Sequence, residues 1–191
     1  MGTILLLLVV AGVAIWAIAT YNTLIGLKNQ VVNAWKQIDV QLKRRHDLIP
    51  NLVNTVKGAM DFERSTLEAV IAARNRAVQA TGVRETAQAE GALTQALGRL
   101  FAVAEAYPEL KSNRNVLQLQ EELTSTENRI GFARQLYNDV ATAYNTRQMQ
   151  FPSNLLAGLA KASPAELWEI EDAAERAVPT VDLSLRKPAA G

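Results

Sequence analysis

Residues 22–57 read NTLIGLKNQVVNAWKQIDVQLKRRHDLIPNLVNTVK, in which Leu24, Val31, Ile38 and Leu52 keep steps of seven and Trp35, Leu42, Ile49 and Val56 fall four residues behind. Steps of seven and four bring side chains to one face of an α-helix, so the stretch predicts one long helix. Leu27, Ala34 and Leu48 widen the stripe beyond a two-stranded seam to what a helix in a bundle presents. Two residues break the pattern. Arg45 fills the remaining heptad position, and Pro50 lacks a backbone donor and disfavours helical geometry at Ile49, which predicts a kink or break near residues 46–50.

Upstream, Gly2 to Tyr21 reads GTILLLLVVAGVAIWAIATY without a charged side chain. Twenty residues make about 30 Å of helix, the hydrocarbon thickness of a bilayer, so residues 1–21 are expected to form a transmembrane anchor. Trp16 and Tyr21 stand where aromatic rings meet headgroups. The rival reading is a cleaved signal peptide with Ala17-Ile18-Ala19 as its small-x-small site, but no Lys or Arg precedes Ile4 to form a basic leader. Nothing basic precedes the span, whereas Lys28 and Lys36 follow it. That asymmetry predicts a single-pass membrane protein with a cytoplasmic body, a periplasmic body being the alternative. The span holds no GxxxG pair, so a dedicated transmembrane dimer motif is not expected.

Downstream, a second helix is predicted over Phe62–Gln79, with Leu67, Val70, Ile71, Arg74 and Val78 on one side and Thr81-Gly82 closing it. A third begins near Arg84 or Glu85, carries Leu93, Leu97, Leu100, Phe101 and Ala104, and ends at Tyr107-Pro108. The fourth runs from Asn115 to about Met149, with Leu119, Leu123, Ile130, Tyr137, Val140 and Tyr144 in helical register, and Phe151-Pro152 stops it. Ser153 caps a short helix in this reading, and Ser163-Pro164-Ala165-Glu166 predicts another over 164–177. After Pro179, alternation of Val181, Leu183 and Leu185 with polar residues predicts an extended tail, and residues 187–191 should fray. The expected fold is all-α: an N-terminal transmembrane helix continuous with a long antiparallel four-helix bundle over residues 22–186, plus short C-terminal helices and an extended tail.

Composition narrows the chemistry. Of 191 residues, 49% are hydrophobic but only 6% aromatic, which favours helices over sheets. A net charge of +1 argues against nucleic-acid binding, although residues 22–60 carry +4 and residues 61–191 carry −3. There is no cysteine and a single histidine, His46, so thiol catalysis, iron–sulfur clusters and cysteine- or histidine-based metal sites are excluded. No phosphate-binding glycine loop or nucleophile elbow occurs. We therefore expect no catalytic residues, no cofactor and no metal.

The polar residues read as structural. An inward-facing Arg45 or Arg134 needs a carboxylate such as Asp47 or Glu127, and Glu127, Arg134 and Asn138 recur at seven and four. Arg45, Asp47, Glu127, Arg134 and Asn138 are thus the expected structural network, with His46 part of it rather than an acid or base. Lys43, Arg44 and Arg45 form the other candidate, a contact with a partner or with lipid headgroups. Each charge near an anionic surface contributes about 1 kcal/mol. A straight helix, however, sets Lys43 about 33 Å beyond Tyr21.

These residues resemble the LemA family of bacterial membrane proteins. The similarity runs through Tyr21-Asn22, Leu27-Lys28-Asn29, Ala34-Trp35, Ile38 to Arg45, Asp47 to Val53 and Val56-Lys57-Gly58. It resumes at Leu117-Gln118, Glu121 to Leu123, Glu127 to Ile130, Ala133-Arg134, Tyr137-Asn138, Tyr144-Asn145 and Phe151 to Asn154. At residues 157–168 the chain departs, with Gly158-Leu159 and Leu167-Trp168 where a Gly-Phe or Tyr-Phe pair is usual. The resemblance implies a membrane-anchored bundle of long helices without assigned catalysis, in a family of structural or accessory proteins that includes a magnetosome-membrane protein. The leading expectation is a non-enzymatic, lipid-embedded homo-oligomer that scaffolds a membrane assembly. The alternative is an adaptor or regulator of a membrane metalloprotease or other membrane partner.

Overall fold

The computed structural model describes residues 1–58 and 63–169. Its helices are α1 (Gly2–Lys57), α2 (Arg64–Gln79), α3 (Val83–Ala104), α4 (Pro108–Lys111), α5 (Arg114–Met149) and α6 (Asn154–Ala157), with no strand among the described residues. At 1.5 Å per residue, the 56 residues of α1 extend about 84 Å. Its first third, from Ile4 to Ile18, buries no residue and exposes every large apolar side chain except Trp16, which with Ala17 is half-buried. Among the described residues α1 is the one helix long and apolar enough to cross a bilayer. Burial begins at Thr20 and Leu24 and then follows the heptad through Ala34, Ile38, Leu42, Ile49, Leu52 and Val56.

Of the kink or break expected at residues 46–50, the break does not occur, since α1 continues as helix through Pro50. Proline's missing N–H leaves the carbonyl four residues back, that of His46, without its helical donor. Arg74 of α2 supplies one, its Nε donating to His46 O at 2.8 Å. The orphaned acceptor is thereby satisfied from a neighbouring helix, and the backbone continues.

Helices α1 and α5 pair antiparallel. Trp35 meets Tyr137 at 5.5 Å between ring centroids, and ten residues along α1 Arg45 meets Glu127, ten residues back along α5. Helix α2 packs mainly on α3, through a turn in which Gly82 takes φ 78°, a left-handed value that favours glycine. Side chains from α1, α2, α3, α4 and α5 share one apolar cluster that includes Ile49, Val70, Leu93, Leu100 and Leu123. A second cluster joins Ala34, Ile38 and Leu42 of α1 to Ile130, Tyr137 and Ala141 of α5 and to Trp168. The buried stripe of α2 is Leu67, Val70, Ala73 and Ala77, so Ile71 and Val78, expected inside, face outward. Helix α3 ends at Ala104, and the short α4 precedes α5, whose N-cap Asn113 accepts from the amides of Asn115 and Val116.

The helix expected to start at Pro164 is absent from residues 164–169, which form no regular element. Their peptide groups bond to side chains of α5 instead. Asn145 donates to Ala165 O and accepts from Ala165 N, both at 2.8 Å. Asn138 does the same for Trp168, at 3.0 and 2.8 Å. The spacing fits: seven helical residues rise about 10.5 Å, close to the span of three extended residues at about 3.3 Å each. Tyr137 donates its hydroxyl to Glu166 O at 2.7 Å, while Trp168 is buried beside Trp35 and under the Arg134 guanidinium, 5.8 Å from its ring. Residues 170–177 of that expected helix, the tail at Val181 to Arg186 and residues 187–191 lie outside the described residues, as does Phe62.

Burial first, and then the charge of Glu166, hold the Tyr137 phenol above its usual value near 10. A raised acid favours the neutral form, so its stabilisation is whole below pH 10 and is lost as the pH climbs through the folded value. We predict that alkaline titration releases residues 162–169 above about pH 10, read as a red shift of Trp168 emission. Tyr137→Phe should remove that pH step and leave a constant loss of about 1 kcal/mol.

Candidate functional site: a buried charge node

Midway along the body four helices contribute charge to one point. Arg45 is 3% exposed, although it occupies a heptad position on α1, because α3 presents a carboxylate there. Arg45 Nη1 donates to Glu90 Oε2 at 3.2 Å and lies 2.9 Å from Glu127 Oε2, and Nη2 donates to Thr94 Oγ1 at 2.8 Å. The next residue, His46, places Nε2 2.6 Å from Glu90 Oε1. An ionised carboxylate only accepts, so the imidazole carries its proton on Nε2 in this contact. Both oxygens of Glu90 are then occupied. With Arg74 on the His46 carbonyl, α2 joins the same cluster.

Each helix delivers its group for a local reason. Glu90 lies three residues before Leu93 and seven before Leu97, on the buried stripe of α3. Thr94, one turn later, donates to Glu90 O at 3.0 Å and so holds its oxygen toward Arg45. Glu127 follows the buried Thr126 at the edge of the α5 stripe and is about one-third exposed, so its charge stays in touch with water. A buried guanidinium with only one carboxylate would carry a large desolvation cost; two carboxylates and a hydroxyl offset it.

Of the expected network, the structure brings together Arg45 and Glu127. Asp47 is exposed on another face of α1 and makes no ion pair among the described residues. Arg134 and Asn138 sit further along α5, where they hold Trp168. Lys43 and Arg44 are exposed on the unbroken α1, whereas Arg45 points inward and is unavailable to a partner or headgroup. Glu90, Thr94 and the capping role of Arg74 went unforeseen. The signal for Glu90 was present: a carboxylate in register with Leu93 and Leu97 on an otherwise apolar stripe.

Both oxygens of Glu90 are engaged, whereas Glu127 Oε2 faces Arg45 as an ion pair without hydrogen-bond geometry. Arg45, His46 and Glu90 line none of the main surface grooves, which lie along α2–α3, α1–α2, α1–α5 and α4–α5. The imidazole is held by a carboxylate that also binds a guanidinium, the geometry of a fixed structural pair.

Residues 34–57 of α1 with its charged motif, all of α5 and the Asn ladder fall within a stretch matched by the LemA family profile, over residues 34–183. The chain belongs to the LemA family. Among its relatives, Magnetosome protein MamQ 2 of Paramagnetospirillum magneticum is 26% identical over 189 residues, covering 85% of this chain and 70% of that protein. Protein LemA of Metamycoplasma hominis is 28% identical over 138 residues, 71% of this chain and 63% of the relative. Magnetosome protein MamQ of Magnetospirillum gryphiswaldense is 23% identical over 187 residues. None of these three names states an enzyme activity.

The capping of the His46 carbonyl gives a direct prediction. Arg74→Met should destabilise the protein by about 1–3 kcal/mol by leaving a buried acceptor unpaired. In a Pro50→Ala background the restored amide serves that carbonyl, so the same change should cost much less. A denaturant double-mutant cycle reads the difference as coupling energy.

Proposed function

We propose that this LemA-family chain is a non-enzymatic, single-pass membrane protein whose residues 1–21 anchor it in the bacterial inner membrane. In this reading the four long helices act as one antiparallel bundle, a rod carried on the cytoplasmic side, and neighbouring rods pack side by side to scaffold a membrane assembly. The observation that carries the proposal is an exposed apolar patch shared by α1, the helix continuous with the anchor, and α5. Phe132 is 75% exposed at its centre, with Val40 and Leu136 also exposed around a shallow α1–α5 groove. A water-facing Phe ringed by aliphatic side chains is a patch that a partner surface would cover. Lys36 and Arg129 border it, and the acidic surplus of residues 61–191 offers opposite charge on a neighbour. The exposed Lys43 and Arg44, about 33 Å past Tyr21 on the unbroken helix, fit contact with a protein rather than with the lipids of that bilayer.

The relatives in magnetosomes are consistent with a role in organising membranes. The adaptor reading becomes preferable if the rods do not associate. Purified full-length protein in mild detergent should sediment as homomeric particles larger than a monomer, and Phe132→Asp should return it to monomer with unchanged helicity. Strict monomers at high micromolar concentration would remove the scaffold and leave an adaptor for a membrane partner. Protease protection of a C-terminal tag, expected to be complete in right-side-out vesicles, tests the cytoplasmic side.

A further inference from the structure

The end of the body nearest the apolar span is built inside out. Segment 150–161 packs on α1 and α5 with Ser153 and Ala160 buried and Leu156 half-buried. Its outward apolar positions, beside the exposed Asn154, Gly158 and Lys161, are Phe151, Leu155 and Leu159, which recur every four residues and are 80, 67 and 73% exposed. Met149, 69% exposed, adjoins them at the end of α5. A water-facing surface ordinarily alternates the other way, with polar residues outside.

Height along α1 says what covers these residues. Lys28 Nζ donates to Lys161 O at 3.3 Å, which ties the segment to α1 seven residues beyond Tyr21. Seven residues rise about 10 Å. Thr20 and Leu24, the first buried positions of α1, lie lower still. Headgroups occupy about 5–8 Å beyond each face of the hydrocarbon, and interfacial helices bury their apolar face about 5–10 Å into that boundary. The α1–α5 register that sets Trp35 against Tyr137 and Arg45 against Glu127 brings Met149, the end of α5, level with about residue 23 of α1, two residues past Tyr21 and within the headgroup layer. Charge agrees: residues 1–38 and 140–165 contain no Asp or Glu, while Lys28, Arg147 and Lys161 are basic.

We propose that Phe151, Leu155 and Leu159, with Met149, form a second membrane contact that inserts into the interface of an anionic bilayer beside the span. The body is thereby held at two points, which fixes its tilt where a lone helix would leave it free to swivel. The proposal rests on the anchor reading for residues 1–21.

Because the protein has no cysteine, single thiols can be placed at will. Full-length L8C, L155C, L159C and F132C variants carry an environment-sensitive fluorophore in phosphatidylcholine–phosphatidylglycerol vesicles, quenched by lipids brominated near the headgroup for positions 132, 155 and 159 and deep in the acyl chain for position 8. The expected result is quenching at positions 155 and 159 several-fold above that at position 132, an exposed site on α5 far from the span. Quenching at position 8 with 155 and 159 no higher than 132 overturns the second contact and leaves the anchor standing. No quenching at position 8 removes both. If labels at 155 and 159 are shielded from aqueous iodide, escape lipid quenching and lose shielding on dilution with unlabelled protein, a second copy covers the patch and the lipid contact is wrong.

Discussion

A guanidinium taken out of water at position 45 must be met by carboxylate oxygens from whatever packs against that face of α1. Glu90 of α3 and Glu127 of α5 meet it, and His46 takes the remaining oxygen of Glu90. An apolar stripe tolerates sliding by a heptad at modest cost, because Leu, Ile and Val interchange along it. A buried ion cluster does not. Sliding α5 by one turn would leave Glu127 about 5 Å from its partner and a charge unpaired in the core. The node is thus the constraint that sets the register of α1 against α3 and α5, while the apolar clusters on either side supply most of the attraction.

The same economy of backbone partners appears twice more. Pro50 orphans one carbonyl, and Arg74 serves it without interrupting α1. At the other cluster, two asparagines on α5 act as strand-like partners for residues 165 and 168, each offering one donor and one acceptor. Trp168 is carried by that ladder against Trp35, which itself meets Tyr137 edge-on. In each case a side chain from one helix satisfies the backbone of another segment, so secondary structure and packing are coupled.

Much of the architecture was legible because it rests on periodicity. The stripe of α1 from Leu24 to Val56, the stripe of α3 from Leu93 to Ala104 and the length of α5 all follow from spacing of apolar residues. The reading failed where a distant side chain overrode a local signal. Pro50 looked like a break because Arg74 is remote in sequence. Ser163-Pro164-Ala165-Glu166 has the chemistry of a helix start, but Asn145 and Asn138 take the peptide groups that a helix would have used. Asp47 was a plausible partner for Arg45 by proximity in the chain; two positions apart on a helix, however, they face different ways. Glu90 was hidden by the opposite bias, since a single acid among alanines reads as solvated.

The central claim, that the charge node sets helix register, is most directly tested at Glu90. Full-length Glu90→Ala should lose about 3–5 kcal/mol in denaturant unfolding, because Arg45 is left buried with Glu127 alone. Arg45→Met combined with Glu90→Met should recover most of that loss. Cysteine pairs introduced at the α1–α5 seam into the otherwise cysteine-free chain should then cross-link in more than one register, where the parent gives one. A Glu90→Ala protein within about 1 kcal/mol of the parent and cross-linking in a single register would contradict the account.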